Sequence, residues 1–234
     1  MKNLFLLFCF LFSHTSMALT RPVWAPLKRV YVPKGFDNND SVEVVVAGEL
    51  PNPCYSRNTV SVDINQNVIK VKVTALVNIV EDKDCADMIV PYLDTISVGN
   101  LQAGDYKVVI NSDSQNQLTQ GLSIDESSSN AIDEYVYASV KSVEQKGTSN
   151  VFTLRGQEIS DCYILDRFQF VDNNLDTISV LPIMKKIKDT CRPSKKSFSY
   201  STKIDFSHIK INKPLIHVRT MDGGSVNVLA DIKK

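Results

Sequence analysis

The sequence has little of what catalysis and metal binding draw on. It holds three histidines, one tryptophan and five cysteines in 234 residues. No Cys or His pair stands at a zinc-site spacing such as C-x2-C or H-x3-H. The strained Gly-x-Ser-x-Gly turn that presents a nucleophilic serine is absent. So are a phosphate-cradling glycine loop and an Arg-Gly-aromatic nucleic-acid box. No catalytic, cofactor-binding or metal-binding residue is therefore assigned. Formal net charge is zero, which removes any global electrostatic pull toward nucleic acid or lipid. No window carries a sustained helical stripe; the nearest, residues 183–190, is short and follows Pro182. With 43% apolar and 22% charged residues, the composition is that of an ordinary globular chain, not a collagen, a disordered tail or a coiled coil.

The one uninterrupted apolar run, Leu4 to Phe12, is about half the roughly twenty residues a spanning helix needs. It follows the basic start Met1-Lys2-Asn3 and precedes Ser13-His14-Thr15 and the small-residue site Ser16-Met17-Ala18. That order is a secretory signal peptide over residues 1–18, with the mature chain starting near Leu19 and no transmembrane segment. Cys9 leaves with the signal. Four cysteines remain, Cys54, Cys85, Cys162 and Cys191, and an even number in an exported chain reads as two disulfides. Counting alone permits three pairings.

An internal repeat favours one of them. Gly48-Glu-Leu-Pro-Asn-Pro-Cys54-Tyr55 and Gly156-Gln-Glu-Ile-Ser-Asp-Cys162-Tyr163 share the frame Gly-x5-Cys-Tyr, 108 positions apart. Val23 to Val30 lines up with Val136 to Val143 at an offset of 113, and Cys85 meets Cys191 at 106. Cysteine spans of 31 and 29 residues are nearly equal. Ordered matches with small drifts point to a duplication, and two units are too few for a solenoid. Two similar domains follow, at residues 19–126 and 135–234, joined by a polar linker at 127–134, each with its own bridge. Such a bridge contributes roughly 3.5 kcal/mol on the chain-entropy model.

Both copies read as strands. Val60, Val62 and Ile64 alternate with polar residues, turn at Asn65-Gln66-Asn67, and continue as Ile69, Val71 and Val73. Phe168 and Phe170, the turn Asp172-Asn173-Asn174, then Ile178, Val180 and Pro182 repeat this. These are hairpins with one wet face. A last hairpin runs from Leu215-Ile216-His217-Val218 through Asp222-Gly223-Gly224 to Val226 and Val228. Short strands spaced about ten residues apart argue for an all-β class of two tandem sandwiches.

Leu101-Gln-Ala-Gly104-Asp-Tyr106 resembles the tyrosine corner of immunoglobulin-like and fibronectin type III-like modules, here in tandem as in secreted bacterial proteins. The resemblance implies a hydrogen bond from Tyr106 back across the corner. The second copy lacks the motif, and the cysteines are not placed as in antibody domains. Lys28-Arg29-Val30-Tyr31-Val32-Pro33 with Ser41 to Val46 looks like the first strands of periplasmic pilus-type assembly chaperones. That resemblance makes Arg29 the anchor for a client carboxylate, although the duplication is not that family's pattern.

Three further constellations have a functional and a plain reading. His217, Asp222 and Ser225 lie close enough in sequence for a hydrolytic triad, yet His217 at an alternate strand position reads more simply as packed. Asp37-Asn38-Asn39-Asp40 and the Asp172–Asp176 loop offer oxygen ligands for calcium, but such runs are also ordinary turns. Charge divides unevenly. Leu19 to Tyr135 has 9 Lys and Arg against 16 Asp and Glu, and the remainder has 16 against 10. Lys185, Lys186, Lys188, Arg192, Lys195 and Lys196 form a basic cluster around Cys191, read as a solvated face or an anion-binding one. Opposite charges on the two halves also permit head-to-tail self-association. The sequence thus points to a non-catalytic binding or scaffolding protein, periplasmic or extracellular, whose partner is a protein or an envelope glycan and not nucleic acid.

Overall fold

The computed structural model describes residues 19–79, 85–131 and 133–232. The leader assigned to residues 1–18 lies outside the described residues. Fifteen strands and no helix are found among them. The first half contains β1 (Leu19–Trp24), β2 (Leu27–Tyr31), β3 (Val42–Leu50), β4 (Tyr55–Asn65), β5 (Val68–Ile79), β6 (Val90–Gly99), β7 (Gly104–Ile110) and β8 (Leu118–Ile124). The second contains β9 (Val140–Gln145), β10 (Val151–Gln157), β11 (Tyr163–Asp172), β12 (Thr177–Lys186), β13 (Ser197–Lys203), β14 (Leu215–Thr220) and β15 (Gly224–Leu229).

The two halves share one pairing scheme. Sheet β2-β3-β6 of the first half corresponds to β9-β10-β13 of the second, and β4-β5-β7-β8 corresponds to β11-β12-β14-β15. β1 is extra and pairs along β5. Its counterpart in the second half shrinks to a single bridge between Tyr137 and Ile183. Both halves contain one parallel join, β5 with β7 and β12 with β14. The intervening strand, β6 or β13, lies in the opposite sheet, which supplies the crossover that parallel neighbours require. These joins depart from the wholly antiparallel sheets that the immunoglobulin resemblance implies. Its corner is nevertheless formed: the Tyr106 hydroxyl donates to the Gln102 carbonyl at 3.0 Å.

The repeated glycine has a steric cause. Gly48 on β3 and Gly156 on β10 sit where their partner strands, β2 and β9, shift register. A Cβ at Gly48 would run into the Pro26 carbonyl and the Tyr92 ring. At Gly156 it would run into the Ser139 carbonyl and the Phe198 ring. Tyr92 and Phe198 are the cross-strand partners of the two glycines, so each ring covers the bare backbone opposite it. The cysteines follow the same plan. Cys54 bonds Cys85 and Cys162 bonds Cys191, with Cα separations of 5.9 and 5.2 Å. Each bridge ties the start of an edge strand, β4 or β11, to the loop leaving β5 or β12.

Three apolar layers hold four sheets in a stack. Val44, Val46, Ile69, Val71, Val108 and their neighbours fill the first sandwich. Phe152, Leu154, Val180, Ile216 and Val218 fill the second. Between them Tyr31, Val45 and Ala47 pack on Leu215, so β2-β3-β6 lies against β12-β14-β15. One expectation changes here. The alternation along β12 and β14 predicts a wet outer face, but both strands are buried on both sides. Thr177, Ser179, His217 and Arg219 occupy the outer face and are buried, the last three in contact with the first half.

Candidate functional site

The polar groups of that covered face meet the first half along a seam. The His217 ring is fully buried, with its Nδ1 3.0 Å from the Asn227 amide oxygen and 3.1 Å from the Glu43 carboxylate. Ser225 donates its hydroxyl to the same Glu43 oxygen, and the Asn227 amide donates to it at 2.9 Å. Burial pushes the Glu43 carboxyl up, but the hydrogen bond and charge of His217 and the hydroxyl and amide donors outweigh it. The net effect holds Glu43 below the ordinary carboxylate range. His217 Nε2 is buried without a partner, and the ring stands edge-on to Phe36 at 5.6 Å.

Of the proposed triad, His217 and Ser225 both turn toward Glu43, and the Asp222 carboxylate makes no hydrogen bond or ion pair to either among the described residues. Asp222 is a turn residue with φ 60°, as the final hairpin requires. Sequence reasoning missed Glu43, which lies 174 positions upstream of His217 and carries no local motif.

A second seam contact centres on Arg219, 3% exposed. Its guanidinium donates to both oxygens of Asp40, to Asp133 at 2.8 Å and to the Gly35 carbonyl at 3.4 Å. It also stacks between Phe36 at 5.1 Å and Tyr137 at 5.5 Å. Arg29 reaches Asp176 at 3.4 Å in the opposite sense, a first-half arginine on a second-half carboxylate. The Asp/Asn loops weighed for calcium therefore spend their carboxylates on protein. Asp40 also accepts from the Asp37 amide, and Asn173 accepts three backbone N–H groups of its own turn. Among the described residues, no group of three or more His, Cys, Asp or Glu is arranged to hold a metal ion.

Beside Arg219 opens a cleft of about 280 Å³, lined by Phe36, Asp37, Asp40, Asp125, Glu126, Glu134, Tyr135, Tyr137 and the apolar Val171 and Leu181. Burial raises the Asp37 carboxyl above its usual value, and the charges of Asp40 and Glu134 add to the effect. Burial likewise pushes the Tyr137 phenol up to about 12.

The basic cluster lies elsewhere, at the end of β12 and in the loop through Cys191. Lys185, Lys186, Lys188, Arg192, Lys195 and Lys196 are all exposed. Lys188 pairs with Asp161, beside Cys162, at 2.8 Å and Lys186 approaches Asp189 at 3.7 Å, so part of the positive charge is met locally.

Fold and pairing define a chain of β-sandwich modules. The model of one family, the ORF11 beta-sandwich domain, matches residues 44–119, from within β3 to the start of β8. No curated protein and no solved structure matches the chain. Among the described residues no helix is long and apolar enough to cross a membrane.

Proposed function

We propose that this chain is an exported, non-catalytic binding or scaffolding protein of the cell envelope or extracellular space. The observation that carries the reading is where the reactive side chains go. His217, Glu43, Arg219, Asp40, Arg29 and Asp176 pair across the seam, so the groups that a hydrolase would deploy hold two sandwiches together instead. Two disulfides support residence outside the reducing cytosol, and the signal-like residues 1–18 support export. The Tyr106 corner supports an immunoglobulin-like kinship for the first module.

Contacts are then made by edges and loops. β4 and β11 are outer strands carrying half-exposed Val60, Ile64, Ile164 and Phe170. Such strands offer unpaired backbone groups to an added strand. The test is made on cells producing the full chain, with a photo-crosslinker at Ile164 or Val60 and a parallel panel of ester and glycoside substrates. A discrete adduct outside the cytoplasm, with no turnover by the purified chain, is the expected result. Turnover by the wild type that disappears in His217→Ala overturns the proposal.

A further inference from the structure

The cleft beside Arg219 holds negative charge that is not ion-paired, although Asp37, Glu126 and Glu134 accept hydrogen bonds from Asn39, Asn38 and Ser128. Asp37, Asp125, Glu126 and Glu134 line it, and none of them takes part in an ion pair among the described residues. Arg219 is spent on Asp40 and Asp133. A group of carboxylates can be no more than a solvated rim, but a second feature points inward. Tyr137 is buried (5% exposed) and lines the cleft, and its phenol lies within the fields of Arg219 and of the three carboxylates Asp133, Asp40 and Asp37. Its hydroxyl makes no hydrogen bond to the protein among the described residues and stays open to solvent, so it is available to a ligand.

Ionised carboxylates only accept hydrogen bonds, and a phenol held among them has its lone pairs free to accept as well. The complement is a cation with several N–H donors. A metal ion is a poor fit: calcium takes about six to eight oxygens converging at bonding distance, and no such convergence of three ligands exists among the described residues. An alkylammonium fits better, because its three donors can be shared among acceptors set further apart. Val171 and Leu181 provide an apolar wall for its methylene stem, in the manner that lysine stems lie along apolar surface. The volume of about 280 Å³ lies near the small end of ligand clefts, which suits one short chain.

We infer that this cleft is a binding site for an alkylammonium group, seated by Glu134, Asp125 and the Tyr137 hydroxyl with its stem along Val171 and Leu181. The site stands on the cleft alone and does not require the proposed function above. Its ligand is either a free diamine or a lysine side chain of a partner.

The two sources are separated by titrating the isotope-labelled full-length chain with 1,5-diaminopentane in one arm and N-acetyl-lysine methylamide in the other. Amide shifts around Glu134 to Tyr137 are followed up to about 10 mM, where affinities of a few kcal/mol become visible. Saturable shifts confined to the cleft are expected with at least one probe. The diamine alone identifies a small molecule, the lysine derivative alone a protein partner, and both the shared chemistry. Asp125→Asn/Glu134→Gln, two exposed changes that leave packing intact, should weaken binding about fivefold. Tyr137→Phe, which keeps the ring over Arg219, should weaken it about tenfold. Absence of saturable shifts with both probes overturns the inference. So does equal binding by the wild type and the double variant, or binding of calcium without either amine.

Discussion

Replacing Arg219 by methionine deletes a charge and keeps a stem of similar reach. Methionine can still lie between Phe36 and Tyr137, so the apolar part of the seam persists. Asp40, 3% exposed, and Asp133 lose their cationic partner. Asp40 then retains only the Asp37 amide, at 2.9 Å. Removing one member of a buried pair costs about 3–5 kcal/mol, because the charge left behind is neither solvated nor paired. Domains typically have roughly 5–15 kcal/mol of stability, so the loss is large enough to uncouple the halves. Asp40→Asn in the same background removes the stranded charge while its amide oxygen still accepts from Asp37. That double variant should recover at least half of the loss. Urea unfolding is followed by the fluorescence of Trp24, the single tryptophan, which reports the first half, and by far-UV circular dichroism, which reports both. The wild type should show coincident transitions, and Arg219→Met separated ones at lower urea. Refutation is a variant within about 1 kcal/mol of wild type with coincident transitions, or one that Asp40→Asn makes worse.

Gly48→Ala and Gly156→Ala should each cost about 1–3 kcal/mol, since backbone carbonyls and aromatic rings block the new methyl group; Gly121→Ala, with open space around it, should stay within about 0.5 kcal/mol in the same melts. Non-reducing peptide mapping should link Cys54 to Cys85 and Cys162 to Cys191, and Cys162→Ser/Cys191→Ser should lose roughly 3.5 kcal/mol. Glu43 is held below its ordinary value, so its contribution is present above the unfolded carboxyl range and is lost as pH falls through its depressed value. Acid titration of stability should therefore be shallower in Glu43→Gln than in the wild type; identical profiles would show that the His217 contact does not favour the ionised form.

Sequence alone determined the local and the repeated. Alternation at Val60, Val62 and Ile64 against Ile69, Val71 and Val73 placed a hairpin whose register pairs those same residues. Gly223 and Gly224 marked another hairpin near the end of the chain, and nearly equal cysteine spans predicted both bridges. These features are readable because a strand's period, a turn's backbone angles and a repeated offset involve only neighbours or copies. Tertiary structure decided what covers the face opposite each core. A period of two separates the two faces of β14 but cannot say whether His217 and Arg219 look at water or at another sandwich. Their partners, Glu43 and Asp40, come from strands and loops far back in the chain. The acidic cleft is decided the same way: Asp37 and Asp125 meet in a bridge within the first half, and only the second half adds the facing wall of Tyr137, Val171 and Leu181.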